Sequence, residues 1–174
     1  MSLVITGDLM MRQYLGISNR ADILNGATPL GGLFTLGVLQ GQASTVTLSA
    51  NQIGSTCFFD SAAGIVYTLP APASVPIGAW FDFVTTITIT SNSAKVLTDA
   101  ATTFLLGGIA SVNATASALY AANGTTHRSV NGNGTTTGGI AGSVYRVTLI
   151  NSTQWVLSGY TYSSGTVATP LATS

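Results

Sequence analysis

The chain has 174 residues, zero formal net charge and a charged fraction of 6%, against roughly 25% in ordinary globular proteins. Nucleic-acid affinity comes mainly from Lys and Arg side chains that neutralise phosphates. The five such residues of this chain are scattered singly, which nearly excludes a phosphate-binding role and predicts no nucleic-acid partner. The length suits one domain with a terminal arm.

Low charge and a hydrophobic fraction of 46% leave little repulsion between copies, and such surfaces favour association. We therefore expect much of the surface to be covered, in a homo-oligomer or by docking onto a larger assembly. The N-terminus has no basic segment followed by an apolar one, so no signal peptide is predicted. Residues 23–59 are uncharged, but glycines, Pro29 and polar residues interrupt them, so no membrane span or membrane partner is predicted.

Residues 1–44 are predicted to form an extended N-terminal arm with short helical turns. Asp8 and Ser18 are candidate caps for these turns, and the residues after them are apolar side chains separated by glycines, without a helical period. Disordered segments are usually poor in apolar residues, so we expect the arm to fold against its own domain, a neighbouring subunit or a scaffold. The residues proposed for such a contact are Leu9, Met10, Met11, Tyr14, Leu15, Leu33, Phe34 and Leu36.

Residues 45–174 are predicted to form a β domain, because runs of β-branched and aromatic residues alternate with Gly- and Pro-rich turns. Residues 55–60 and 64–70 are predicted to pair as a hairpin. Residues 79–90 form the longest predicted strand. The side chains of that strand expected in the core are Phe81, Phe83, Ile87 and Ile89.

The second half of the domain is predicted to contain brief strands, a glycine-rich loop and a closing hairpin. Residues 131–142 are predicted to be an exposed loop, since they lack the ending and following helix of a phosphate-binding loop. Residues 143–160 alternate as a hairpin, and Tyr145 and Trp155 are expected to anchor one end of the core. Residues 162–174 are predicted to be an edge strand or an exposed tail.

Catalytic and metal-binding residue types are scarce in this sequence. Cys57, the only cysteine, lies in a strand-like run and is expected to be a small buried hydrophobe. His127, the only histidine, is expected in a loop, without a nucleophile motif beside it. The acids are all Asp and stand mostly at predicted turns, except Asp82, which is expected to pair with an arginine or to face solvent. We predict no catalytic site, no metal site and no cofactor.

Four segments carry a family resemblance: GSTCFFDSAAGIVYTLPAPA, GAWFDFVTTITIT, STQWVLSGY and SSGTVATP. Together they resemble small virion proteins of tailed bacteriophages that decorate or cement the head, over about residues 45–170. The resemblance implies an all-β module, an antiparallel β-sandwich of jelly-roll-like or barrel-like form, often trimeric, without catalytic residues. It also implies binding to the major capsid protein on the outer capsid surface of the virion, after synthesis in the host cytoplasm.

These observations leave three alternative functions. The first is a non-enzymatic capsid decoration (cement) protein that forms a homotrimer and contacts the coat through the arm and one face of the β domain. The second is a tail- or head-fibre module that binds host-surface glycans, which a groove lined by Trp80, Tyr120, Trp155 or Tyr160 would favour. The third is a small hydrolase, which requires His127 beside an Asp and a nucleophile in one cleft.

Overall fold

The computed structural model of the chain describes residues 37–92 and 94–174. The described part contains twelve strands and two 3-10 turns, Ala50–Gln52 and Pro72–Ser74. The strands are β1 (Val38–Leu39), β2 (Thr45–Thr47), β3 (Thr56–Phe59), β4 (Val66–Thr68), β5 (Trp80–Thr85), β6 (Ala94–Leu97), β7 (Phe104–Val112), β8 (Ser117–Asn123), β9 (Ser129–Gly132), β10 (Val144–Leu149), β11 (Gln154–Tyr162) and β12 (Leu171–Ala172). The compact unit that holds them runs from Leu36 to Ser174, and it includes β1, which precedes Thr45.

The strands form two sheets. The seven-stranded sheet has the order β1-β3-β5-β10-β11-β7-β8, and the five-stranded sheet has the order β12-β9-β6-β4-β2. From β1 to β6 the chain alternates between the two sheets, so that strands of one sheet run in the same direction and pair in parallel. The all-β, sandwich-like prediction is confirmed, and the sheets are mixed rather than purely antiparallel.

The alternation between sheets overturns the hairpin predicted from residues 55–60 and 64–70. These residues form β3 and β4, which lie in different sheets: β3 pairs with β1 and β5, and β4 pairs with β2 and β6. Both strands point aromatic side chains inward, and the rings of Phe59 and Tyr67 meet edge to face with centroids 5.3 Å apart. The short connection is therefore a corner between two layers.

The core lies between the two sheets and is rich in aromatic rings. Phe81 and Trp155 are fully buried and lie with ring centroids 6.1 Å apart, while Phe83 stacks on Tyr145 at 5.5 Å. Burial of such a side chain contributes about 1.5–3 kcal/mol. The predicted burial of Tyr145 and Trp155 is confirmed, as is the antiparallel hairpin that β10 and β11 form.

The predicted strand 79–90 is shorter in the structure, where β5 ends at Thr85. Phe81, Phe83 and Ile89 are buried as predicted, but Ile87 is 47% exposed, so its assignment to the core was wrong. The physical reason is a turn of the backbone, since the N–H groups of both Thr86 and Ile87 donate to the carbonyl oxygen of Phe59. Two consecutive donors to one acceptor break the alternation on which the prediction depended.

The segment 131–142 is not the exposed loop that was predicted. Its first two residues belong to β9, and Gly134, Gly138 and Gly139 are buried. Gly134 (φ +72°) lies against the carbonyl of Ile89, and Gly138 (φ +92°) lies against Thr161, so a Cβ at either glycine would overlap its neighbour. Glycine is needed here because the backbone itself packs against the sheet.

The last predicted segment, residues 162–174, ends in the edge strand that was one of its two predicted forms. β12 pairs antiparallel with β9, and Leu171 is 7% exposed. The C-terminus is therefore part of the five-stranded sheet.

Candidate interaction surface

The outward-facing side of the seven-stranded sheet, called here the outer face, is built by the longer strands of the described part. In β5, β10, β11, β7 and β8, alternate residues point into the core and the residues between them point outward. The prominent outward side chains are Trp80, Asp82, Arg146, Val156, Tyr160, Tyr162 and Leu119. Most of them are apolar or aromatic, so this face offers shape and apolar area rather than charge.

The prominent charged side chains of the outer face, Arg146 and Asp82, form an ion pair with each other. Arg146 and Asp82 oppose each other in the register of β10 and β5. Arg146 Nε donates to Asp82 Oδ1 and Nη2 donates to Oδ2, both at 2.7 Å, and the guanidinium carbon lies 3.9 Å from the ring centroid of Trp80. It is the only ion pair within residues 37–92 and 94–174. Asp82 thus pairs with an arginine, one of its two predicted states.

The four aromatic residues considered for a glycan groove are not brought together. Trp155 is fully buried and Tyr120 packs partly against the core. Trp80 and Tyr160 both lie on the outer face, but Trp80 aligns with Thr148 and Val156, four residues before Tyr160, which is about 13 Å along the strand. Tyr160 instead meets Tyr162, with ring centroids 5.3 Å apart. The two tyrosines, 41% and 38% exposed, form a small aromatic platform.

A polar cleft of about 180 Å³ lies at one end of the five-stranded sheet, and it is lined by Asn92, Asn131, Gly132, Asn133 and Thr137. None of these residues is aromatic or charged. A separate cavity of about 10 Å³ shares Asn131 and Gly132 with this cleft, and its volume is close to what one water molecule needs. The buried Oδ1 atom of Asn131 has no hydrogen-bond partner among the described residues.

The residues considered for catalysis lie apart or are inaccessible. Cys57 is a free, fully buried thiol; burial, with a smaller contribution from the Asp82 carboxylate, raises its pKa from 9.0 to about 12. His127 Nδ1 accepts the N–H of Asn123 at 3.4 Å, and His127 makes no ion pair with an Asp of the described part. The described ranges hold no cluster of three or more His, Cys, Asp or Glu suited to a metal ion. The predicted burial of Cys57 is confirmed.

The arm residues predicted to contact a capsid or a neighbouring subunit, Leu9, Met10, Met11, Tyr14, Leu15, Leu33, Phe34 and Leu36, lie outside the described residues. Two features of the surface were missed by sequence reasoning. One is the partner of Asp82, for which the presence of Arg146 in a later strand was the available signal. The other is the edge of β8, which no second strand of residues 37–92 and 94–174 pairs with and which was signalled only by the uncharged run SALYAAN. In the described ranges, no helix has the length and apolar character that crossing a membrane requires.

Comparisons of the chain with protein-family models, with curated proteins and with solved structures gave no match. We therefore infer function from the residues, the surface and the sequence resemblance described above.

Proposed function

We propose that this chain is a non-enzymatic structural protein of a tailed-bacteriophage virion, which binds the outside of the capsid and stabilises contacts between coat subunits. The observation that carries the proposal is the outer face: its prominent side chains are mostly apolar or aromatic, and its charged residues within the described part, Arg146 and Asp82, bind each other. Such a face suits contact with another protein surface through shape and apolar area.

Decoration requires complementary contacts and many copies, not catalysis. A protein that binds the assembled coat but not its separated subunits stabilises the assembly by mass action. With a charged fraction of 6%, an isolated chain has little charge repulsion to prevent association. A homotrimer would cover apolar surface and sheet edges. We place the coat contacts on the outer face and on the apolar arm residues, among them Leu33 and Phe34.

The first experiment is co-sedimentation of the purified full chain with capsids of the phage that encodes it. We expect saturable binding at a fixed number of copies per capsid. Replacing Leu33 and Phe34 by Ser should weaken binding at least tenfold. The matched control replaces two exposed apolar loop residues of the β domain, Ile77 and Ile87, by Ser, and should bind as the full chain does. Equal binding by both variants would show that Leu33 and Phe34 do not contact the capsid. No binding by the unaltered chain would contradict the proposed decoration function.

A second function, a tail- or head-fibre module that binds host-surface glycans, is favoured by one observation. The exposed Tyr160–Tyr162 platform presents ring faces and hydroxyl groups of the kind on which sugars stack. If this function holds, the chain binds host cells or isolated surface glycans, and Tyr160→Ala abolishes that binding. Under the decoration proposal the chain binds capsids and does not retain glycans.

A further inference from the structure

The edge strand β8 carries features of an unprotected edge. Among the strands of the described residues, it ends the seven-stranded sheet and pairs only with β7. It has seven residues, whereas β1 and β12 have two each and β2 has three. Proteins protect long edges with charged residues, proline, bulges or a covering segment, yet the sequence SALYAAN contains no charged residue and no proline. Leu119, at its centre, is 77% exposed.

The ladder between β7 and β8 shows which backbone groups of β8 face outward. The N–H of Asn113 donates to Ala116, and the N–H of Gly124 donates to Leu105, at 2.8 and 2.9 Å. Hydrogen-bonded and non-bonded pairs alternate in an antiparallel ladder. In the register of this pair, the alternate residues from Ser117 through Leu119 to Ala121 therefore direct N–H and C=O away from β7.

These outward groups form a short window that is open to another strand. Within the described part of the chain, no backbone hydrogen bond reaches Ser117, Leu119 or Ala121. At the next outward position, the N–H of Asn123 already donates to His127 Nδ1. The free window is therefore centred on Leu119.

We propose that β8 pairs antiparallel with β8 of a second copy of this chain, across a two-fold axis at Leu119. Leu119 then opposes the second copy's Leu119, and Ser117 opposes the second copy's Ala121. This register makes about six backbone hydrogen bonds, two for each directly bonded pair. On the opposite side of the strand, Tyr120 opposes the second copy's Ala118, so a large side chain meets a small one.

The second copy is the occupant because the window is complementary to itself. An antiparallel pairing centred on one residue uses the same donors and acceptors on both strands, as an isologous contact requires. The strand has no charge, so no like charges oppose each other across the axis, and the net charge of the whole chain is zero. The inference does not depend on the proposed function. A two-fold contact gives a dimer, or a hexamer where trimers also form.

The first test is the mass of the full chain in solution, measured by light scattering after size exclusion. We expect an even-numbered oligomer. Leu119→Lys places two cations at the axis, and Ala121→Pro removes an outward N–H that β7 does not use, so each variant should halve the mass. The control, Ile77→Lys, replaces a residue that is 71% exposed outside β8 and should leave the mass unchanged. Thermal melting of each variant confirms that it folds.

The second test is a cross-link. Directly bonded antiparallel pairs have Cα atoms about 5.5 Å apart, which a disulfide spans. Leu119→Cys with diamide should therefore give a disulfide-linked dimer, while Ile77→Cys should not, and the buried Cys57 does not compete. A monomeric or trimeric full chain, a mass that neither β8 variant alters, or no Leu119→Cys dimer would overturn the pairing. Capsid binding is scored separately, so a monomer that binds capsids contradicts this inference alone.

Discussion

Arg146 on β10 and Asp82 on β5 face each other in register and are joined by two N–H···O bonds of 2.7 Å. The guanidinium also lies over the ring of Trp80. Because both charges are satisfied by each other, the outer face presents almost no net charge to a partner. The side chains of Arg146 and Asp82 remain 46% and 24% exposed. Solvent therefore screens the ion pair in part, which reduces its contribution to stability.

The contribution of this ion pair to stability is expected to be small and sensitive to salt. A double-mutant cycle with Arg146→Met and Asp82→Asn should give a coupling free energy of about 0.5–1 kcal/mol at low salt, measured by urea unfolding. At about 0.5 M salt the coupling should shrink, because exposed charges are screened. Zero coupling at low salt would show that the two groups do not interact in solution.

The buried thiol of Cys57 is expected to be unreactive in the folded protein. Its pKa is raised to about 12 by burial, and both the missing thiolate and the lack of access slow its chemistry. Labelling with a chromogenic disulfide reagent at pH 8 should be at least about a hundredfold slower than in denaturant. The exposed variant Ile77→Cys serves as the positive control. Rapid labelling of Cys57 in the unaltered chain would contradict the buried placement.

The same pKa shift predicts how stability depends on pH. In the unfolded chain the thiol ionises near its ordinary pKa of 9.0, while in the folded chain it stays protonated to about 12. Between these values the unfolded state binds fewer protons, so the free energy of unfolding falls by about 1.4 kcal/mol per pH unit. Well below pH 9 this group has no effect, because the thiol is protonated in both states.

Two tyrosines add to this loss at higher pH. Burial raises the pKa of Tyr67 and of Tyr145 above the ordinary value of 10.0, so the fall should become steeper above pH 10. Cys57→Ala should flatten the curve between pH 9 and 10, and the fall above pH 10 should remain, because burial is the largest cause of the raised tyrosine pKa values and Cys57 a smaller one. A stability that is constant from pH 9 to 10 in the unaltered chain would contradict the burial of the thiol.

Gly138 and Gly78 offer a matched pair for testing the packed loop. Their φ angles are +92° and +91°, but a Cβ would overlap Thr161 at Gly138 and would meet nothing within 4 Å at Gly78. Gly78→Ala is expected to cost about 1–2 kcal/mol from backbone strain alone. Gly138→Ala should cost at least about 2 kcal/mol more, because Thr161 must move. Equal losses in urea unfolding would show that the loop is not packed against β11.

Much of the strand content could be predicted from the sequence, because alternation marks strands wherever one face is buried. Phe81, Phe83 and Trp155 follow that pattern and are buried. The assignment of strands to sheets could not be predicted, since a short connection between two apolar runs is equally suited to a hairpin and to a corner. That ambiguity explains why β3 and β4 were paired wrongly. For the same reason, the parallel pairing among β1 to β6 was not predicted.

The candidate surface was predicted only in part, because its features depend on register. The sequence marks Asp82 as a charged residue within a strand. Its partner, Arg146, follows only from the register of β5 and β10. Gly134 and Gly138 are buried because Ile89 and Thr161 lie against them. These contacts cannot be predicted from composition. The edge position of β8 among the described strands is known only from the strand order.

The thermal stability of capsids tests most directly whether this chain stabilises an assembled phage capsid, as we propose. Capsids of the encoding phage, prepared without the protein, are heated with increasing amounts of the purified full chain, and shell opening is followed by light scattering. We expect the melting temperature to rise with added protein and to level off once the binding sites are filled. An unchanged melting temperature at saturating protein, with retention on host-surface glycans, would contradict decoration and support the fibre module.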